Sequence, residues 1–325
     1  MKKILVIRFS SIGDIVLTSP IIRCLKQQTA AEIHFVTKST YAELFVANPY
    51  VDQIHQFEAD ITEIIPQLKK ENFDQVIDLH RNLRSIRLRK ALKKPSFTFP
   101  KLNKEKWLLT NFKWNLLPDV HIVDRYFEAV KKIAVVNDGK GLDHFIPDDQ
   151  KVNLSDYGIS EKYISFSIGA QYATKRLPNE QIIDIIRQLQ LPVVLLGGPS
   201  DKENGDPISS ACENALNLCG KLSIHQSASV IQQSVGVITH DTGLMHIAAA
   251  LKKPIVSIWG NTVPEFGMYP YLPENPDQFS MHEVKLSCRP CSKIGYASCP
   301  KKHFNCMRNQ DIDAIVTAAR GFVRC

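Results

Sequence analysis

No stretch of this 325-residue sequence stays apolar long enough to span a bilayer, so no membrane-spanning helix is expected. Cysteine is sparse. Eight residues in a chain of this length cannot staple a disulfide-built scaffold, and the sequence reads as a protein of a reducing cytoplasm. The opening Lys2-Lys3-Ile4-Leu5-Val6-Ile7 run stops at Arg8 and leads straight into a turn motif, so no targeting segment is expected ahead of it. Also missing is a G-x-G-x-x-G fingerprint after the first strand, which speaks against a nicotinamide-dependent dehydrogenase. What remains is ordinary globular material, 44% hydrophobic and 22% charged, long enough for two cores.

The formal charge of +7 is unevenly placed. Between Arg81 and Lys113, basic residues including Arg81, Arg84, Arg87, Arg89, Lys101 and Lys106 are interrupted by a single acid, Glu105, with Phe97, Phe99, Trp107 and Phe112 interleaved. Such a stretch is either a solvated helix face or a surface for a polyanion: nucleic acid, anionic lipid headgroups or an acidic saccharide. No nucleic-acid-binding motif accompanies it, so nucleic acid is not expected as a partner.

Short β-rich runs alternate with helical patterns throughout. The first half offers strands at Ile4 to Phe9, Glu32 to Thr37 and Gln75 to Leu79, with a helix from Asp14 to Gln28. The second half offers strands at Tyr163 to Ile168, Val193 to Leu196, Val235 to Thr239 and Ile255 to Trp259. Helices are expected there at Asn179 to Leu189, Ile224 to Gln233 and Thr242 to Leu251. This alternation predicts parallel sheets covered on both faces. The turn-rich Asn137-Asp138-Gly139-Lys140-Gly141 and Pro147-Asp148-Asp149 segments suggest a boundary, dividing the chain into domains 1–150 and 151–325. Apolar spacing from Asp311 to Val323 predicts a closing helix.

Ligands of open α/β sheets lie beyond the carboxyl ends of the strands, so the turns there carry the candidate chemistry. In Arg8-Phe9-Ser10-Ser11-Ile12-Gly13-Asp14, Asp14 starts a helix and can either accept a proton from an incoming hydroxyl or simply cap that helix. In His240-Asp241-Thr242-Gly243-Leu244-Met245-His246, unpaired amides at a helix start, with Gly243 permitting close approach, form a seat for a diphosphate. Asp241 can bond sugar hydroxyls, and His246 shares a helix face with Thr242; the alternative is a capping Asp and a packed His. Lys175 and Arg176 can neutralise a leaving diphosphate, or belong to an exposed basic turn. Glu203, after the Gly197-Gly198 turn, is placed to accept from ribose hydroxyls.

Cys288, Cys291, Cys299 and Cys306 form a late cluster with His303 between the last two. It contains one C-x2-C, but the second pair lacks the close spacing of a zinc ribbon, so reduced structural cysteines are favoured over a structural metal.

At the Arg8 to Asp14 turn and the His240 to Ala250 segment, the sequence resembles glycosyltransferase family 9, whose best-known members are the lipopolysaccharide heptosyltransferases. The likeness extends to Ile77-Asp78-Leu79-His80-Arg81-Asn82-Leu83-Arg84-Ser85, the Lys175 loop, the Lys252-Lys253-Pro254 turn and the Cys288 to Met307 segment. It implies an α/β GT-B fold, two Rossmann-like domains facing across a cleft, with acceptor on the first and donor on the second. It also implies inverting transfer with no cofactor and no metal ion, in which Asp14 matches the family's proposed general base. Lys175, Asp241, Thr242, Gly243 and His246 match its donor site, with Glu203 aligned loosely and Leu222 standing where a methionine is expected near the nucleobase. Ser11, Gly13, His80, Arg81 and Arg84 fall on the acceptor side.

The resemblance further implies an ADP-heptose-like donor and an anionic glycolipid acceptor. Peripheral contact with the inner membrane through the Arg81 to Lys113 region, from the cytoplasmic face, would follow. The residues around the Lys175 loop depart from the heptosyltransferase pattern, so a UDP- or GDP-linked donor, or a binding protein without turnover, stays open alongside it.

Overall fold

The computed structural model describes residues 2–160 and 162–323; Met1, Glu161, Arg324 and Cys325, which fall within the expected domains, lie outside the described residues. The chain forms two compact units. One comprises the residues up to Lys101 together with Val120–Phe145, and the other comprises Leu102–Asp119 with the chain from Ile146 onward.

The first unit begins β1 (Lys3–Ile7), α1 (Ile12–Val16), α2 (Ser19–Thr29), β2 (Glu32–Lys38), α3 (Ser39–Ala42) and β3 (Gln53–Phe57). It continues α4 (Ile65–Lys70), β4 (Gln75–Asp78), α5 (Leu83–Leu92) and β5 (Ser96–Thr98). All its strands are parallel, in the order β3-β2-β1-β4-β5. Ile4, Leu5, Val6 and Ile7 are all buried, as a strand covered on both faces requires. Leu5, Ile7, Val36, Phe57 and Val76 form one core with Leu68 of α4 and Leu88 and Leu92 of α5.

The single helix expected from Asp14 to Gln28 is two helices. Pro20 sits in the first turn of α2, where its missing N–H costs nothing but cannot continue the ladder of a preceding helix. The basic stretch likewise breaks into α5, β5 and α6 (Asn103–Phe112), and the last of these belongs to the second unit. Several of its cations have structural partners in the first unit. Arg89 Nε lies 3.0 Å from the buried Asp78 carboxylate, and Arg81 Nη1 donates to the Phe99 carbonyl at 2.8 Å. α7 (Ile122–Phe127) completes the helices of the first unit.

The second unit continues β6 (Ile164–Ser167), α8 (Asn179–Leu189), β7 (Val193–Leu196), α9 (Lys202–Ala211), β8 (Ala215–Asn217) and α10 (Ile224–Gln233). It ends β9 (Gly236–His240), α11 (Gly243–Ala250), β10 (Ile255–Trp259), β11 (Phe279–Glu283), α12 (Asn305–Arg308) and α13 (Ile312–Arg320). Its parallel strands run β11-β10-β9-β6-β7-β8. α8, β7, α10 and β10 coincide residue for residue with the spans expected from periodicity. The closing helix α13 packs within this unit, where Ile315, Val316 and Ala319 share a core with Ile182, Ile185 and Ile186 of α8.

Counted within each unit, the strand order is 3-2-1-4-5, extended by a sixth strand in the second. The order reverses between β1 and β4, and again between β6 and β9. Those reversal points are where diverging crossover connections leave a crevice at the strands' carboxyl ends.

Candidate functional site

At the reversal point of the first unit, the chain leaves β1 through Arg8 and enters α1, whose N-cap is Ser11 and whose third residue is Asp14. The Ser11 backbone N–H and hydroxyl both donate to Asp14 Oδ2, at 3.3 and 2.8 Å. The other carboxylate oxygen lies 2.5 Å from Arg8 Nη2. Arg8 is only 7% exposed, and its remaining donors go to the Ser10 carbonyl (2.9 Å), the Leu79 carbonyl (2.5 Å) and the Tyr126 hydroxyl of α7 (3.1 Å). Burial works against the Arg8 charge, but the Asp14 carboxylate, together with Tyr126 and Asp78, offsets it and the guanidinium pKa lies above its ordinary value. Asp14 therefore caps its helix and is also presented, about a quarter exposed, on a rigid cationic support.

The turn after β4 adjoins this one. The His80 ring lies 4.8 Å from that of Phe9, and burial, then the Arg8 cation, pushes its pKa down to about 3, so it is a neutral imidazole at pH 7. The Arg84 guanidinium sits 5.8 Å above the Phe9 ring. Gly13 is buried inside α1, and Arg81 turns the chain with φ 49° while its side chain is committed to Phe99.

At the reversal point of the second unit, the turns after β6 and β9 meet. Lys175 Nζ lies 2.5 Å from Asp241 Oδ2 and 3.3 Å from the Asp241 carbonyl. The same Oδ2 accepts from the Thr262 hydroxyl at 2.9 Å, in the turn after β10. Thr242 is the N-cap of α11 but makes no side-chain cap bond, so Gly243 opens a helix whose first amides are not closed off by their own cap. His240 Nε2 accepts from the Leu177 N–H at 3.1 Å, tying the Lys175 loop to the end of β9. Burial pushes the His240 pKa down to about 4, which keeps the ring neutral and able to accept.

The remaining donor-side candidates lie outside this group. His246 is buried at 2% exposure in α11. Glu203 is exposed in the first turn of α9, and among the described residues no hydrogen bond or ion pair joins it to Lys175 or Asp241. Leu222 is half-buried in the turn before α10. Sequence reasoning named Arg8 and His240 only as the first residues of their turn motifs, without a role, and missed Thr262. Arg8 carried a signal, since a cation set between the apolar run Ile4-Leu5-Val6-Ile7 and Phe9 is expected to be buried with a partner.

The late cysteines are free thiols. Cys291 Sγ donates to the Cys288 carbonyl, and Cys288 Sγ lies 3.9 Å from His303 Nε2. Burial raises the Cys291 and Cys306 thiols to about 11. Among the described residues, the group of three ligand atoms lying within 4.8 Å of one another is a different one: His34, His55 and Glu71. Its two rings bond each other at 2.8 Å, and their outer nitrogens meet Glu32 (2.9 Å) and Gln67 (3.3 Å). Among the described residues no helix is long and apolar enough to cross a membrane.

The family model of glycosyltransferase family 9 (heptosyltransferase) matches residues 61–298. Lipopolysaccharide heptosyltransferase 2 of Salmonella typhimurium is 32% identical over 129 residues, which cover 36% of this chain and 37% of that protein. The chain thus spans little more than a third of the length of that relative. A glycosyl transferase family 9 structure from Veillonella parvula superposes with a TM-score of 0.81 at 21% identity, covering 99% of this chain and 97% of that one. The ADP-heptose lipopolysaccharide heptosyltransferase II of E. coli superposes with a TM-score of 0.71 at 22% identity, covering 98% and 99%. Identities this low speak to the fold, which is that of the GT-B class with two Rossmann-like units.

Proposed function

The chain belongs to glycosyltransferase family 9, and from that premise we propose that it is an inverting, metal-independent transferase moving heptose from ADP-heptose to a lipopolysaccharide inner-core acceptor. The observation that carries this reading is the pairing of chemistry with topology. A supported carboxylate, Asp14, stands at one strand-order reversal, and a cation with a hydroxyl-binding carboxylate, Lys175 and Asp241, stands at the other.

In this mechanism Asp14 accepts the proton of an acceptor hydroxyl as its oxygen bonds to the anomeric carbon. The bond from that carbon to the diphosphate breaks in the same displacement, so configuration inverts without a covalent intermediate. The departing nucleoside diphosphate carries the negative charge, which the first amides of α11 and Lys175 stabilise. Lys175 exchanges its Asp241 partner for phosphate oxygen, freeing Asp241 for sugar hydroxyls. Thr242, Gly243 and His246 complete the donor side with Glu203 and Leu222 toward the nucleoside. Ser11, Gly13, His80, Arg81 and Arg84 serve the acceptor. The protein works at the cytoplasmic face of the inner membrane, where a glycolipid acceptor resides.

Product formation from ADP-heptose and a Kdo-bearing lipid A acceptor, followed by mass spectrometry, tests the reading. Transfer from a UDP- or GDP-sugar instead would retain the reaction and replace the donor. Donor binding with no turnover on any acceptor would leave a nucleotide-sugar-binding protein.

A further inference from the structure

α6 carries an apolar surface that its own unit does not cover. Leu109 packs with Val263, Phe266 and the partly buried Leu117, and Lys113 Nζ donates to the Pro290 carbonyl at 2.7 Å, so the segment is held from one side. On the other side Trp107 is 50% exposed, Phe112 52%, Trp114 61% and Leu116 62%. The three rings form one continuous cluster, with centroids 5.3 Å apart for Trp107 and Phe112 and 5.5 Å for Phe112 and Trp114. The left-handed C-cap at Lys113, φ 63°, makes the turn that sets Phe112 and Trp114 side by side.

Contiguous exposed aromatic surface on a firmly anchored segment marks an interaction site, because soluble surfaces rarely leave such rings in mutual contact with water. Its composition selects the partner. Tryptophans, whose rings are apolar and whose N–H is polar, favour the headgroup level of a bilayer, and lysines around them favour anionic lipid. The segment and its approach bear Lys104, Lys106 and Lys113 against one acid, Glu105; Lys106 Nζ lies 5.9 Å from the Phe266 ring centroid, and Lys113 Nζ donates to the Thr110 and Pro290 carbonyls.

We propose that the Trp107–Leu116 segment docks the protein on the surface of an anionic bilayer, with its aromatic cluster at the headgroup–acyl boundary. This sharpens the glycolipid-acceptor reading above, on which it rests for its purpose, by locating the membrane contact on α6 and its C-terminal turn.

The chain has three tryptophans, and the third, Trp259 of β10, is 1% exposed, so fluorescence reports the cluster against a buried internal standard. The test uses the full chain with vesicles of phosphatidylethanolamine and phosphatidylglycerol, bearing brominated acyl chains, at low salt. Emission should shift to the blue and be quenched. Trp107→Phe with Trp114→Phe should keep flotation but lose the quenching. Trp107→Ser, Phe112→Ser and Trp114→Ser together should weaken vesicle affinity about tenfold or more.

The proposal is overturned if wild-type emission ignores the vesicles, if the triple Ser variant floats undiminished, or if phosphatidylcholine vesicles bind equally well. ADP titration of the same proteins without vesicles separates the two claims. Retained ADP binding with no vesicle contact sinks the docking alone, and vesicle contact without nucleotide binding sinks the transferase reading alone. The Phe pair and the wild-type quenching decide the matter even if the triple variant fails to fold.

Discussion

Arg8 Nη2 and Asp14 Oδ1 lie 2.5 Å apart, joining a guanidinium 7% exposed to a carboxylate about a quarter exposed. The pair couples a floor of the first unit, through the Leu79 carbonyl and the Tyr126 hydroxyl, to the one carboxylate the sequence offers as a base.

Asp14→Asn should lower turnover about 10²–10⁴-fold, the usual worth of a positioned general base, while ADP affinity stays unchanged. Steady-state kinetics beside ADP titration check this. Undiminished turnover would remove Asp14 from the role.

Arg8→Gln takes away the cation that favours an ionised carboxylate beside it, so the acid limb of the kcat/KM profile should move to higher pH. A profile that merely drops in height, with its limb unmoved, would make Arg8 a purely structural residue.

Lys175→Met removes a charge-assisted contact expected at the diphosphate, and should weaken ADP binding about 10- to 100-fold, the equivalent of roughly 1.5–3 kcal/mol. Calorimetry measures it. Adenosine, which lacks phosphate, should bind both proteins alike.

Gly260→Ala places a Cβ 2.6 Å from the Thr174 carbonyl and 2.7 Å from Met307 Cε. Backbone on the Lys175 loop must then shift, so stability should fall by about 1–3 kcal/mol with a parallel loss of ADP affinity. Thermal denaturation and calorimetry read the two effects, and unchanged ADP affinity would show that the loop absorbs the methyl.

His55, His80 and His240 have pKa values pushed down to about 4, 3 and 4, chiefly by burial. A depressed histidine binds its proton more readily in the unfolded chain, so stability is full above the ordinary histidine value and is lost as pH falls below it. Each contributes a slope of up to about 1.4 kcal/mol per pH unit between roughly pH 6.5 and its folded value. Urea unfolding at pH 7, 6 and 5 should show a steepening decline; equal midpoints at all three would refute the assignment.

Local pattern was readable wherever burial was strong and one-sided. α8 and α10 announce themselves by helical spacing, and β7 and β10 by short β-branched runs buried on both faces. The edge strands β3, β5, β8 and β11 were not readable, because an edge is half-exposed and its residues, such as Gln53-Ile54-His55-Gln56-Phe57, carry little apolar signal. α9 was obscured by Gly205 and Pro207 within it.

The sequence by itself determined an alternating α/β chain, the turns at which Asp14, Lys175 and Asp241 stand, and a basic aromatic-rich stretch ending near Trp114. Only the tertiary structure decided that Arg8 supports Asp14, that Thr262 and Lys175 share one oxygen of Asp241, and that Trp107, Phe112 and Trp114 lie open while the cations before Lys101 belong to another unit. The reason is the parallel sheet. Neighbouring strands in it are joined by long crossovers, so β6 lies beside β9 and β1 beside β4, and partners such as Leu177 and His240 meet across 63 residues of chain. Periodicity reports which face of an element is buried, whereas strand order decides which turns are neighbours.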